Sequence, residues 1–265
     1  MQDDNRPVIL VTNDDGITAP GIRSLIDAVK DLGRVVVVAP DSPQSGMGHA
    51  ITIGHPLRLH SVNVFDGIEA YQCSGTPVDC VKLARDIILK QAPDICVSGI
   101  NHGANSSINV IYSGTMSAAM EAAIEGIPSV GFSLLDFSFH ADFEVSRQVA
   151  HDIVKRMLKD KMPPHFLLNV NIPKVEKKDF KGIKICRQAH AKWTEDFDHR
   201  TDPRGKDYYW MVGKFVNLDT GAETDIEALE AGFASVVPVK FDLTDLQMKQ
   251  QLKNQWKDLL VNDPA

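Results

Sequence analysis

The chain has 265 residues, 43% hydrophobic and 24% charged, as in a soluble globular protein, and no apolar run approaches the ~20 residues that span a bilayer. Its 28 basic and 35 acidic side chains leave a formal charge of -7, which argues against a protein whose main work is gripping nucleic-acid backbone. Cys73, Cys80, Cys96 and Cys186 form no C-x-x-C pair, and Met1-Gln2-Asp3-Asp4-Asn5 lacks the features of a signal peptide, so a cytoplasmic protein with reduced thiols is expected.

Val8-Ile9-Leu10-Val11, ended by Asn13-Asp14-Asp15-Gly16, predicts a buried strand. Ala19-Pro20-Gly21 then opens a helix with Ile22, Leu25, Ile26, Val29 and Leu32 at helical spacing, and Gly33 stops it. Residues 35–38 are all valine, so this strand should be covered on both faces, as in a parallel sheet. Thr76 is the expected N-cap of a helix starting at Pro77. A strand at 94–98, a polar loop at 101–109, a helix at about 113–125 and a strand at 129–132 follow. A further helix is expected after Val149, then a strand at 167–170. Residues 188–214 predict a long hairpin turning at Asp202-Pro203-Arg204-Gly205, an arm suited to packing on another subunit. A terminal helix is expected over about 243–260. The strand–helix–strand opening implies a right-handed crossover in an α/β layer fold. With no repeat or linker, one domain over 1–265 is expected, with the arm at about 188–214 and a tail at 243–265.

Four loops could carry chemistry. Adjacent carboxylates at Asp14 and Asp15, after a buried strand, repel each other and lose hydration unless a divalent cation offsets them. The alternative is a turn whose acids cap the next helix. The loop from Asp41 to His49 holds two glycines and Ser45, whose hydroxyl could join an oxygen shell. In Gly99-Ile100-Asn101-His102-Gly103-Ala104-Asn105, an Asn offers an oxygen to a cation or an amide to phosphate, and a lone His102 is weaker evidence. Tyr112-Ser113-Gly114-Thr115 enters an Ala-rich helix and makes an anion site or an ordinary cap. All four follow strands of an expected parallel sheet, where open α/β folds place their crevice. Two carboxylates, a hydroxyl and a carboxamide suit Mg²⁺ or Mn²⁺ better than Zn²⁺.

These residues resemble the SurE (survival protein E) nucleotidases. The resemblance rests on Val11-Thr12-Asn13-Asp14-Asp15-Gly16, Ala39-Pro40-Asp41 with Gln44-Ser45-Gly46, Ser74-Gly75-Thr76-Pro77 and Ser98-Gly99-Ile100-Asn101 with Gly103 and Asn105. It continues through Tyr112-Ser113-Gly114-Thr115, Asp202-Pro203-Arg204-Gly205 and Thr224-Asp225, so it covers nearly the whole chain. It implies a Rossmann-like core with a C-terminal extension. It also implies one divalent ion per subunit on Asp14, Asp15, Ser45 and Asn101, phosphate contacts from Asn105, Ser113, Gly114 and Thr115, and a homodimer or homotetramer. The chain departs from the usual pattern at Ser107-Ile108-Asn109, and Ser117 and Ala122 stand where small glycines are common.

The expected reaction is metal-dependent hydrolysis of nucleoside 5′- and 3′-monophosphates, with Asp14 or Asp15 orienting a water or taking its proton. Direct attack by Asp14 is the rival, although phosphatases of that kind space their acids D-x-D. A dinucleotide oxidoreductase would need a G-x-G-x-x-G turn where Asn13-Asp14-Asp15-Gly16 stands. A non-catalytic nucleotide sensor remains the binding-module alternative.

Overall fold

The computed structural model describes residues 6–138, 140–257 and 259. The polar start at residues 1–5 and the tail at 258 and 260–265, on which expectations were placed, lie outside the described residues.

The valine- and isoleucine-rich runs form strands buried on both faces. β1 (Val8–Thr12) is followed by α1 (Pro20–Val29) and β2 (Arg34–Pro40), and the two strands pair in parallel with Val11 beside Val37. Ile9 and Val11 pack into the cluster that holds Ile22, Leu25 and Ile26 of α1, whereas Leu10 and Val38 pack toward the opposite layer. Each such side chain contributes about 1.5–3 kcal/mol by leaving water. Both β1 faces are therefore occupied, which is why apolar residues do not alternate along it.

β3 (Leu59–Ser61) and β4 (Glu69–Cys73) extend the sheet beyond β2, with β4 parallel to β2 and β3 antiparallel to β4. α2 (Pro77–Leu83) starts at Thr76 with a reciprocal cap: the Thr76 hydroxyl accepts from the Asp79 N–H while the Asp79 carboxylate accepts from the Thr76 N–H. β5 (Ile95–His102), α3 (Gly114–Ile124) and β6 (Ser129–Leu134) follow. β5 pairs in parallel with β1 and β6, and its register slips between Ser98 and Asn101. The strand thus runs past the start of the expected polar loop.

α4 (Glu144–Asp160) begins before Val149 because Asp142 accepts the Glu144 N–H and opens the helix earlier than the apolar spacing suggests. β7 (Leu167–Ile172) pairs in parallel with β6. β8 (Ile183–Ile185) comes before the arm, whose strands are β9 (Ala191–Thr201) and β10 (Asp207–Asn217). The arm is displaced by three residues from the expected 188–214, since its antiparallel register continues to the Ala191–Asn217 pair. α5 (Asp225–Glu230) and β11 (Ala234–Pro238) return the chain to the sheet. α6 (Leu246–Gln255) is shorter than the helix expected over 243–260, because Asp245 accepts the Met248 N–H and sets its start.

The main sheet has the order β3-β4-β2-β1-β5-β6-β7-β11-β8, parallel except at β3 and between β7 and β11. α1 and α4 lie together on one face, and α2 and α3 on the other. The chain leaves β1 toward β2 and later returns to β5 on the opposite side. That reversal opens a crevice at the carboxyl ends of β1 and β5.

Candidate active site

Asp14 and Asp15 stand in the turn after β1. Gly16 adopts φ +95°, which L side chains rarely do, and this turns the backbone sharply behind the two acids. They do not cap the next helix: the N-cap of α1 is Ala19, without a side-chain cap bond, and the first turn holds no acid. The reading of this motif as a helix cap therefore has no support in the structure.

Asp14 is 4% exposed and accepts a short hydrogen bond from the Thr115 hydroxyl at the start of α3. A Cβ on Gly114 would lie 2.7 Å from the Cβ of Asp14, so only glycine lets the helix start come this close. Burial pushes the Asp14 carboxyl up to about 6. The Thr115 hydroxyl pulls the other way, and Asp15 adds to the rise by repulsion. Asp15 is less enclosed: its Oδ2 lies 3.3 Å from Nδ1 of His102 and 3.4 Å from the His102 backbone N–H. The His102 ring meets Phe143 edge-on at 5.3 Å, and its Nε2 is buried without a hydrogen-bond partner among the described residues. In the sequence a lone His102 beside glycine was weaker evidence, and its contact with Asp15, 87 positions away, leaves no local trace there.

The Asp41–His49 loop is tied to the same turn by the Gln44 N–H, which donates to the Asp14 carbonyl at 2.7 Å. Ser45, on that loop, is exposed and faces the cavity bordered by Asp14 and Asp15. Asn101, at the end of β5, commits its Nδ2 to the Gly103 carbonyl at 2.8 Å, which turns its oxygen into the group a hard cation would use.

Asn105 is held by a closed circuit of carboxamides. Its N–H donates to Asn171 Oδ1 at 2.7 Å, Asn171 Nδ2 donates to Asn169 Oδ1 at 3.0 Å, and Asn169 Nδ2 donates to the Asn105 carbonyl at 2.8 Å. Its own Nδ2 donates to Ser133 Oγ at 2.8 Å. Asn169 and Asn171 are two apart on β7 and so share a face. Two buried polar residues at strand spacing are the signal that could have found them. Ser113 caps α3, accepting from the Met116 N–H at 3.0 Å. It borders the cavity with Asn105, whereas Gly114 and Thr115 stand behind Asp14.

A cavity of about 950 Å³ thus gathers Asp14, Asp15, Ser45, Asn101, Asn105 and Ser113 at one end. Among the described residues no group of three or more His, Cys, Asp or Glu side chains is arranged for a metal. The donor set at this end is two carboxylates, a hydroxyl and a carboxamide, all oxygen. A buried acid whose ionisation costs energy beside a second acid is the environment that a hard divalent ion relieves.

Comparisons with known proteins place the chain in a family. The family model described as survival protein SurE matches residues 9–195. A protein of Christiangramia forsetii named 5'-nucleotidase SurE is 63% identical over 241 residues, covering 90% of this chain and 93% of its own length. One of the same name from Flavobacterium johnsoniae is 62% identical over 255 residues, covering 96% and 98%. The crystal structure of the SurE protein from Aquifex aeolicus superposes with a TM-score of 0.81 at 40% identity, covering 94% of this chain and all of that one. With the crevice, its paired acids and these likenesses in agreement, the chain belongs to the SurE family.

Proposed function

We propose that the protein is a metal-dependent phosphomonoesterase that hydrolyses nucleoside 5′- and 3′-monophosphates to nucleoside and phosphate. The observation that carries this reading is the buried, costly-to-ionise Asp14 paired with Asp15 at the mouth of a helix start. Asp14, Asp15, Ser45 and Asn101 would hold one Mg²⁺ or Mn²⁺ ion per subunit. That ion, when bound, supplies positive charge against the charge that builds on the transferring phosphoryl group. Asn105 and Ser113 bind phosphate oxygens, and the amino end of α3 at Gly114 and Thr115 adds a favourable field. Water attacks phosphorus, Asp15 or Asp14 takes its proton, and the P–O bond to the nucleoside breaks with protonation of the leaving oxygen. Water as nucleophile is supported by the confinement of Asp14 between Thr115 and Gly114, which leaves that carboxylate little freedom to attack.

We further infer a cytoplasmic homodimer or homotetramer built from single-domain subunits, with the β9–β10 arm and the tail in the contacts between copies. Neither a nucleic-acid polymer nor a membrane is required, and no helix among the described residues is long and apolar enough to cross a membrane.

The test is phosphate release from 5′- and 3′-nucleoside monophosphates with Mg²⁺, Mn²⁺ or chelator. Release that needs the metal, and that Asp14→Asn lowers by more than about 100-fold, is expected. Release that survives both chelator and Asp14→Asn sinks the metal site. Nucleotide binding without any release makes the protein a sensor.

A further inference from the structure

The cavity that the carboxylates border is also lined by side chains that ester hydrolysis itself does not need. Trp193 of β9, Phe215 of β10, Phe137 after β6, and Ile226 and Leu229 of α5 line it. The Trp193 and Phe215 rings sit 5.5 Å apart on paired positions of the arm's root. Lys174, which also borders this space, has its charge turned to Asp136 at 3.1 Å. This part of the lining is mostly flat aromatic and aliphatic surface, with Glu230 next to Leu229.

Trp193 is held in one orientation. Its indole N–H donates to Asn109 Oδ1 at 2.8 Å, while 42% of the residue stays exposed. The strand beneath it is pinned: the Ser107 hydroxyl donates to the Ala189 carbonyl at 2.8 Å and lies 3.1 Å from the Ala191 N–H that donates to it. The Asp225 carboxylate accepts from the Ala189 N–H at 2.9 Å and from the Ser107 N–H at 2.7 Å. Ser107 takes φ +53°, a conformation that favours glycine. Ser107 and Asn109 belong to the polar stretch after β5, so the orientation of the indole rests on that loop as well as on the arm.

We propose that Trp193, oriented by Asn109 and backed by Phe215, is the platform on which the substrate's base stacks, making this chain selective for nucleotides, purine over pyrimidine, against phosphate esters without a base. The inference rests on the nucleotidase reading above. A phosphate held by Asn105 and Ser113 lies in the same cavity as the platform. Its volume is within the ~300–1,000 Å³ of ordinary small-ligand sites. Stacking on an aromatic ring needs no hydrogen-bond code, and a purine covers more of an indole than a pyrimidine does.

The experiment compares 5′-AMP, 5′-CMP and ribose 5-phosphate, which lacks only the base, on wild type, Trp193→Ala, Trp193→Phe and Asn109→Leu. For Trp193→Ala, KM for 5′-AMP should rise about tenfold or more. Its kcat should hold, and ribose 5-phosphate should be unaffected. Trp193→Phe should recover most of the affinity, and Asn109→Leu should fall between. If Trp193→Ala leaves the ratio of kcat/KM for 5′-AMP over ribose 5-phosphate unchanged, the platform is wrong while the phosphatase reading stands. If wild type releases phosphate from none of the three, the phosphatase reading fails, and the platform as a substrate site fails with it. Misfolding of Trp193→Ala would shift the decision to the other two variants, and unchanged selectivity in both would overturn the proposal.

Discussion

Asp14 sets a conflict between stability and chemistry within one residue. A carboxyl raised to about 6 by burial is more easily kept protonated in the folded chain than in the unfolded one, where it sits near 3.8. Its contribution to stability is therefore fully present below about pH 4 and is lost as pH rises through about 6. At pH 7 the metal-free protein should carry a penalty of about 2–3 kcal/mol from this group. Asp14→Asn keeps an acceptor for the Thr115 hydroxyl and removes the charge. It should raise the melting temperature of chelator-treated protein at pH 7.5 and leave it unchanged at pH 4. Conversely, Mg²⁺ or Mn²⁺ should raise the wild-type melting temperature more at pH 7.5 than at pH 5. Equal metal effects at both pH values would show that the ion does not meet Asp14. That Asp14, Asp15, Ser45 and Asn101 lie at or beyond the carboxyl ends of strands was legible in the sequence, because the apolar runs of β1, β2 and β5 precede them. The Thr115 bond to Asp14, across 101 positions, and the His102 contact with Asp15 were not, since a residue's own neighbours carry no trace of such pairs.

At the scale of elements, β7 shows how a buried strand can carry polar work. Asn169 and Asn171 are 2% and 0% exposed, and burying carboxamides in a sheet interior is costly unless every donor and acceptor is matched. Their circuit with Asn105 meets that demand and fixes the Asn105 backbone beside the cavity. Asn171→Leu strands the Asn105 N–H and the Asn169 oxygen, at about 1–3 kcal/mol for each. Beyond lowering the melting temperature, it should weaken competitive inhibition by inorganic phosphate about tenfold at a temperature where the variant is fully folded. Destabilisation with an unchanged inhibition constant would reduce the circuit to core packing. β1 and β2 were readable from their continuous apolar runs, and β5 and β6 from shorter apolar stretches followed by polar loops or glycine. β4 was not, because Glu69-Ala70-Tyr71-Gln72-Cys73, whose outer neighbour has only three residues, mixes exposed, partly buried and buried positions without regular alternation. β8, at three residues, is too short for a pattern, and β11 offers only Val236-Val237 as an apolar run between Ser235 and Pro238.

For the whole molecule, the sheet's reversal between β2 and β5 gathers loops from residues 13 to 113 into one crevice, which is why ordered motifs in the sequence became neighbours in space. The arm stands apart from this economy. An isolated two-stranded ribbon is marginal in water, yet this one runs eleven residues a side and exposes Phe197, Tyr209, Trp210 and Met211. Such a ribbon asks for cover from a second copy. Cutting out residues 196–212 across the Glu195–Gly213 pair keeps Trp193 and Phe215, and light scattering should then report a smaller assembly than for the full chain. An unchanged mass would place the subunit contact elsewhere. The pinning of the arm's root at Ser107 and Asp225 has a mechanical consequence. Taken as a stiff beam pivoting at Ala191, the arm has Trp193 two residues from the fulcrum and Thr201 ten. A swing of about 5 Å at the tip therefore moves the indole by about 1 Å. Displacements of that size count in a reaction cleft. Whatever grips the far end of the ribbon thus holds a lever with roughly fivefold reduction, a fine adjustment on one wall of the cavity.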